Sequence, residues 1–212
     1  MLKAYDIKKD RSCAVKVINL NGMNEKYHKK FLPRELKNLC KVRHEYIICI
    51  YDIYRMSNHI FIFMEIGKED LAHYIKRLQK PLEEPHACKW FYQMVCALHY
   101  LHTELKMAHR DIKIDNILIA FDNSAKITDF GFSLQVFEDD ENSPELSRTF
   151  CGTRPYLSPQ LNMKKPYIPY KADIWALGVV LFAMLNNRYP FHYKEKKIML
   201  KEQLNPEYIV GR

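Results

Sequence analysis

Apolar positions in this chain change their period several times, and each change predicts an element. Residues 1–18 alternate and end in the β-branched run Cys13-Ala14-Val15-Lys16-Val17-Ile18, which predicts two strands. From Asn24 to Val42 the spacing lengthens, and Phe31, Leu32, Leu36 and Leu39 fall on one stripe of a helix that Pro33 opens or kinks. Ile47–Ile53 and Ile60–Met64 read as a second pair of strands around a turn at Ser57-Asn58. Between Pro85 and Glu104, Ala87, Trp90, Phe91, Met94, Leu98 and Leu101 recur at helical spacing and predict a helix facing the core. Ile174–Leu185 is apolar on almost every side, so that helix is expected to be buried. Two short β-like runs, Ile117–Ala120 and Ala125–Thr128, flank the turn-rich Asp122-Asn123-Ser124 and predict a tight hairpin. The polar stretch Asp139–Pro144 has the composition of a mobile loop.

Composition narrows the class. At 212 residues the chain is one domain or two small lobes sharing a cleft. Its 48% hydrophobic, 27% charged and 13% aromatic residues are those of a globular protein and argue against disorder. No apolar run reaches the length of a membrane span, and Met1–Asp6 has no apolar signal core. Cys13, Cys40, Cys49, Cys88, Cys96 and Cys151 are scattered among apolar residues with no C-x-x-C pair. That pattern points to reduced, buried thiols in the cytoplasm or nucleus rather than to disulfides or zinc. The net charge of +8 raises nucleic acid or an acidic membrane as partners. The lysines, however, stand in small groups (Lys8-Lys9, Lys29-Lys30, Lys164-Lys165, Lys194 to Lys197) without interleaved aromatics, so solvated faces are expected and neither partner is.

The chemistry is concentrated in Ala108-His109-Arg110-Asp111-Ile112-Lys113-Ile114-Asp115-Asn116 and in Asp129-Phe130-Gly131. Phosphoryl transfer asks for an acid to accept a hydroxyl proton, an Asn five residues on for Mg²⁺, and a second Asp for metal. Asp111, Asn116 and Asp129 supply them. The hairpin expected between Asn116 and Asp129 would return both to one end, where their hard oxygens suit Mg²⁺. A turn or cap role accounts for any one of these residues but not for all three together.

These motifs resemble the eukaryotic protein kinases over nearly the whole chain. Lys16 matches the strand lysine that pairs the ATP phosphates, and Glu35, nineteen residues on, matches the helix-C glutamate that orients it. Asp173-Ile174-Trp175-Ala176-Leu177-Gly178 resembles the aspartate-led helix of the large lobe, and Met64-Glu65-Ile66-Gly67 the hinge between lobes. Phe31-Leu32-Pro33-Arg34-Glu35, Asp129-Phe130-Gly131-Phe132-Ser133 and Thr149-Phe150-Cys151-Gly152 are similar to the testis-specific serine/threonine kinases, in the calmodulin-dependent-kinase-like group.

The resemblance implies an α+β, bilobal kinase fold, with a small β-sheet lobe plus helix C over residues 1–64 and a hinge at 65–68. A larger, mainly helical lobe follows over 69–212. It implies a serine/threonine kinase that uses ATP and Mg²⁺ on Ser or Thr hydroxyls of protein substrates. Asp111, Lys113 and Thr153 would be catalytic: Asp111 as proton acceptor, Lys113 neutralising the γ-phosphoryl charge, Thr153 bonding both. Ala14, Lys16, Glu35, Met64, Glu65, Gly67, Asn116, Leu118 and Asp129 would hold the nucleotide, with Asn116 and Asp129 as metal ligands. Free backbone groups near Glu65 and Gly67 would bond the adenine edge. Thr149 matches the activation-loop site of an upstream kinase, where a phosphate would pair with Arg110. Asp115 stands where basophilic kinases read an arginine upstream of the acceptor.

Three departures accompany the likeness. None of the six glycines forms the phosphate-covering G-x-G-x-x-G, Gln160 replaces the glutamate of the Ala-Pro-Glu motif, and both lobes are expected to be truncated. The alternative to an active kinase is therefore a kinase-like scaffold without turnover, or an incomplete kinase.

Overall fold

A computed structural model describes residues 1–21, 36, 39, 40, 42–137 and 144–205. The alternation at the N-terminal end becomes a four-stranded antiparallel sheet in the order β1 (Leu2–Asp6), β2 (Arg11–Asn19), β4 (His59–Met64), β3 (Ile50–Met56). The register sets Lys16 against Ile62 and Ala14 against Met64. One face buries Ala14, Ile50, Ile60, Ile62 and Met64, the period of two that a half-buried strand requires. Ser57 takes a left-handed φ of 50° at the expected turn.

Ile47–Cys49 do not join the sheet as their apolar run predicts. Ile47 and Ile48 are buried, and the Ile48 N–H bonds the Ile127 carbonyl at 2.9 Å, so this segment pairs with the second half of the chain. A short apolar run is equally at home in either partner, and tertiary contact decides. Glu35, most of the helix expected over 24–42, and residues 138–143 lie outside the described residues; Leu36 and Leu39 are helical and pack at the core.

Helices dominate after residue 70. β5 (Glu69–Asp70) leads into α1 (Leu71–Leu78), where the Asp70 carboxylate accepts the His73 N–H at 2.7 Å as an N-cap. α2 (Glu84–Thr103) opens with Pro85 in its first turn and buries Ala87, Trp90, Met94, Leu98 and Leu101 of the predicted stripe, with Phe91 half-buried and Ala97 added. α3 (Pro159–Asn162), α4 (Pro169–Asn186) and α5 (Lys196–Gln203) follow. α4 is less enclosed than its composition predicts. Ala172, Ala176, Val179, Val180 and Ala183 are buried, but Ile174 is 55% exposed, because one face of the helix has no partner among the described residues.

Three small strand pairings complete the fold. β7 (Ile117–Ile119) and β8 (Ala125–Ile127) form the predicted hairpin, with Ile117 opposite Ile127, and β5 adds to its free side. β6 (Met107–Ala108) pairs with β9 (Leu134–Gln135). A single apolar cluster runs from Ile60, Ile62 and Met64 of the sheet through Ile117, Ile127 and Phe130 to Trp90, Leu98, Leu177 and Met184. Both halves thus share one core, and the hairpin lies at their junction. Among the described residues no helix is long and apolar enough to cross a membrane.

Candidate active site

The loop after β6 is pinned from below by one carboxylate. Asp173, on α4 and 1% exposed, accepts the His109 N–H at 2.8 Å, the Arg110 N–H at 2.7 Å and a His102 ring nitrogen at 2.9 Å. These bonds hold Arg110 at φ 66°, a left-handed conformation that costs a residue with a Cβ about 1–3 kcal/mol. His109 is fully buried: its Nε2 meets the Thr128 carbonyl at 3.0 Å and its Nδ1 accepts the Asp111 N–H at 3.3 Å. That pair of partners fixes a neutral ring with the proton on Nε2. Burial pushes its pKa below the ordinary value, against the pull of the Asp173 charge.

Asp111 emerges from this support as the centre of a polar network. The Thr153 hydroxyl donates to its Oδ1 at 2.7 Å, and the Lys113 ammonium meets its Oδ2 at 2.8 Å. Lys113 also donates to the Thr153 oxygen at 3.0 Å. The three residues assigned from the sequence as catalytic are therefore in mutual contact. Gly152 lets the Thr153 segment approach: at φ 109°, an added Cβ would lie 3.1 Å from the Arg110 carbonyl.

The hairpin does what its spacing predicts. Thr128 N–H bonds the Asn116 carbonyl at 2.9 Å, closing the hairpin so that Asn116 and Asp129 stand at one end. The Asn116 Nδ2 donates to the Asp111 main-chain carbonyl at 2.9 Å and to Oδ2 at 3.1 Å, which leaves its Oδ1 as an acceptor. Asp129, at φ 62°, accepts the Lys16 ammonium at 2.5 Å and the Gly131 N–H at 3.2 Å. Burial raises the Asp129 pKa, but the hydrogen bond and charge of Lys16 outweigh it and hold the carboxyl below its usual range.

Lys16, Met64, Asn116, Leu118 and Asp129 line a single cleft of about 600 Å³. Ala14, Glu65 and Gly67 are not among its lining residues; Ala14 lies opposite Met64 in the register, and Glu65 and Gly67 follow Met64 in the chain. The Glu65 N–H is taken by the Cys49 carbonyl at 2.8 Å, whereas the Glu65 carbonyl and the Gly67 amide have no partner among the described residues. Glu35, the expected partner of Lys16, lies outside the described residues, and the lysine is paired with Asp129 instead. The sequence reading missed Asp70, which also lines the cleft; an acid directly before an apolar helical run is an N-cap signal that would have marked it.

The segment around Thr149 lies alongside. Thr149 is exposed, its carbonyl accepts the Tyr167 hydroxyl at 2.9 Å, and its N–H meets the Ser147 oxygen at 3.3 Å. The Arg110 Nε donates to the Phe132 carbonyl at 2.6 Å, and its buried Nη1 has no hydrogen-bond partner among the described residues. Gln160 is exposed at the start of α3, so the change from an acid puts no unpaired group in the core.

Among the described residues no three His, Cys, Asp or Glu side chains cluster as a metal site of their own. The donor set is two oxygens beside an open cleft, which fits Mg²⁺, an ion that keeps waters and takes phosphate oxygens as further ligands.

Comparison with known proteins places the chain as a whole. The mouse testis-specific serine/threonine-protein kinases 1 and 2 are 37% and 38% identical over 202 residues, covering 94% of this chain. Human testis-specific serine/threonine-protein kinase 4 is 32% identical over 215 residues, again covering 94% of the chain. The matches take in 55%, 56% and 64% of those relatives, so the chain spans little more than half their length. The family model described as "Protein kinase domain" matches residues 1–210, and with the Asp111–Lys113–Thr153 network and the hairpin-borne Asn116 and Asp129 in place, the chain belongs to the protein kinase domain family.

Proposed function

We propose that this chain is the catalytic core of a serine/threonine protein kinase, transferring the γ-phosphoryl group of ATP to Ser or Thr hydroxyls of protein substrates. The observation that carries this reading is the network in which Thr153, Lys113 and Asn116 all converge on Asp111. Such a network is work for positioning and charge, which is most of what phosphoryl transfer requires.

In this reading the acceptor hydroxyl lies against the Asp111 carboxylate, which orients it and takes its proton as the oxygen attacks the γ-phosphorus. The bond to the β–γ bridging oxygen breaks and ADP leaves. Lys113 neutralises charge on the transferring group, and Thr153 keeps Lys113 and Asp111 in register. Asn116 Oδ1 and the Asp129 carboxylate would hold Mg²⁺, which when bound supplies neutralising charge at the phosphates. Lys16 would move from Asp129 to the phosphate oxygens, and Leu118 and Met64 would contact the base.

Two finer points belong to the same proposal. Asp115 is exposed and lines the cleft, which favours substrates with arginine near the acceptor. Thr149 is exposed, and its carbonyl accepts the hydroxyl of Tyr167, which lies beside the Arg110 guanidinium; this favours control by an upstream kinase. The test is phosphate transfer from Mg·ATP to Ser/Thr peptides with and without arginine, with Asp111→Asn alongside. Transfer that disappears in the variant is expected. A folded wild-type protein that transfers nothing would instead leave a kinase-like scaffold.

A further inference from the structure

One ion pair in the described structure has no part in the transfer chemistry. Glu65, directly after β4, and Lys126, in β8, meet with the ammonium at 2.8 Å from Oε1 and 3.0 Å from Oε2. Their side chains are only 23% and 16% exposed. Glu65 is tied to Cys49 as well: its N–H donates to the Cys49 carbonyl at 2.8 Å, and its Oε2 accepts the Cys49 N–H at 3.2 Å. One residue earlier, the Ile48 N–H bonds the Ile127 carbonyl at 2.9 Å. Lys126, Glu65, Cys49, Ile48 and Ile127 therefore close a ring of hydrogen bonds. The ring joins the segment after the four-stranded sheet to the hairpin that carries Asn116 and Asp129.

A second contact seats the same segment. A Cβ added at Gly67 would lie 3.1 Å from Leu118 Cβ, so the chain there runs directly over β7, and Leu118 is the strand partner of Lys126. Residues 65–67 are thus held to β7 by close approach and to β8 by charge. A surface ion pair contributes little, but this carboxylate takes three hydrogen bonds away from most of the water. Without Lys126 it would be left half-satisfied and would turn toward solvent, carrying the main chain with it.

We propose that Lys126 is a positioning residue for the nucleotide: by holding Glu65 against Cys49 it fixes the main chain of residues 65–67, presenting the Glu65 carbonyl and Gly67 amide to the adenine edge. Lys126 itself touches neither base nor phosphate. The inference rests on the nucleotide-binding reading above and adds a residue to it.

The test compares wild type, Lys126→Met and Lys126→Arg by hydrogen exchange of peptides covering residues 60–68, by Mg·ATP affinity, and by kcat and KM for ATP. In Lys126→Met, hinge exchange is expected to rise and affinity to weaken about five- to tenfold, the net effect of losing one typical hydrogen bond. The kcat at saturating ATP should hold, and Lys126→Arg should restore both other readouts. Unchanged hinge exchange, unchanged affinity, or a fall in kcat with KM constant would each overturn the proposal. Should Lys126→Met not fold, Lys126→Gln removes the same charge with a polar side chain and carries the same expectations. If wild type binds no nucleotide, the functional reading fails, and the exchange measurement alone decides whether Lys126 clamps the hinge.

Discussion

The side-chain amide of Asn116 donates both to the main-chain carbonyl of Asp111 and to its Oδ2, at 2.9 and 3.1 Å. One residue thus orients the proposed proton acceptor with its nitrogen while turning its oxygen away as a ligand. Asn116→Asp separates these roles. It keeps a metal-binding oxygen but replaces two donated hydrogen bonds with a carboxylate facing a carboxylate, both largely buried. Phosphate transfer should fall about 10²-fold or more. Nucleotide affinity in Mg²⁺ should fall much less, and steady-state kinetics beside a binding titration will show whether the two effects divide in this way.

Asp129→Asn addresses the other oxygen ligand. The carboxylate is held charged by Lys16, so it is available to a divalent cation without first losing a proton. The neutral amide should bind ATP nearly equally with and without Mg²⁺, whereas wild type should bind far better with it. If the variant keeps the wild-type gain from Mg²⁺, Asp129 is not a metal ligand.

The sequence made the chemistry of this cleft more legible than its support. Asp111, Lys113, Asn116 and Asp129 are close in the chain, and a hairpin of the predicted length was enough to bring the last two together. Thr153 could be assigned only by resemblance, because its contact with Asp111 spans 42 residues and no local period encodes it. The same holds for Asp173 beneath His109 and for Lys126 against Glu65, pairs whose partners lie 64 and 61 residues apart. β5, β6 and β9 have two residues each, too few for alternation to register. The apolar run at Ile47 misled for a related reason: burial of its side chains was legible, but not which backbone it would pair with.

Thr149→Ala tests the switch. The threonine side chain carries no part of the core, and the two bonds that place it use its main chain, so the melting temperature should stay within about 1 °C of wild type. Activity should fall only in protein that an upstream kinase has phosphorylated, because a phosphate would pair with the Arg110 guanidinium and order the segment. Equal activity of phosphorylated wild type and variant would remove Thr149 as a regulatory site.

His109 makes stability depend on pH. Its folded-state pKa lies below the ordinary 6.5 because burial disfavours the charged ring. Geometry explains why the nearby Asp173 charge does not offset this: Nδ1 already accepts the Asp111 N–H, so a proton there would point at another donor. Above pH 6.5 the ring is neutral in both folded and unfolded chains, and its contribution is complete. As pH falls through 6.5 the unfolded chain takes a proton that the folded one refuses, and stability is lost by up to about 1.4 kcal/mol per pH unit until the folded pKa is reached. His44, also pushed down by burial, adds to the same trend, so the test must be a difference. His109→Phe leaves the Thr128 carbonyl and Asp111 N–H unpaired at every pH, a pH-independent cost, and removes the His109 titration while keeping that of His44. Denaturant unfolding of both proteins between pH 7.5 and 5 should therefore converge toward low pH, and parallel curves would mean that the buried imidazole is not the group that titrates.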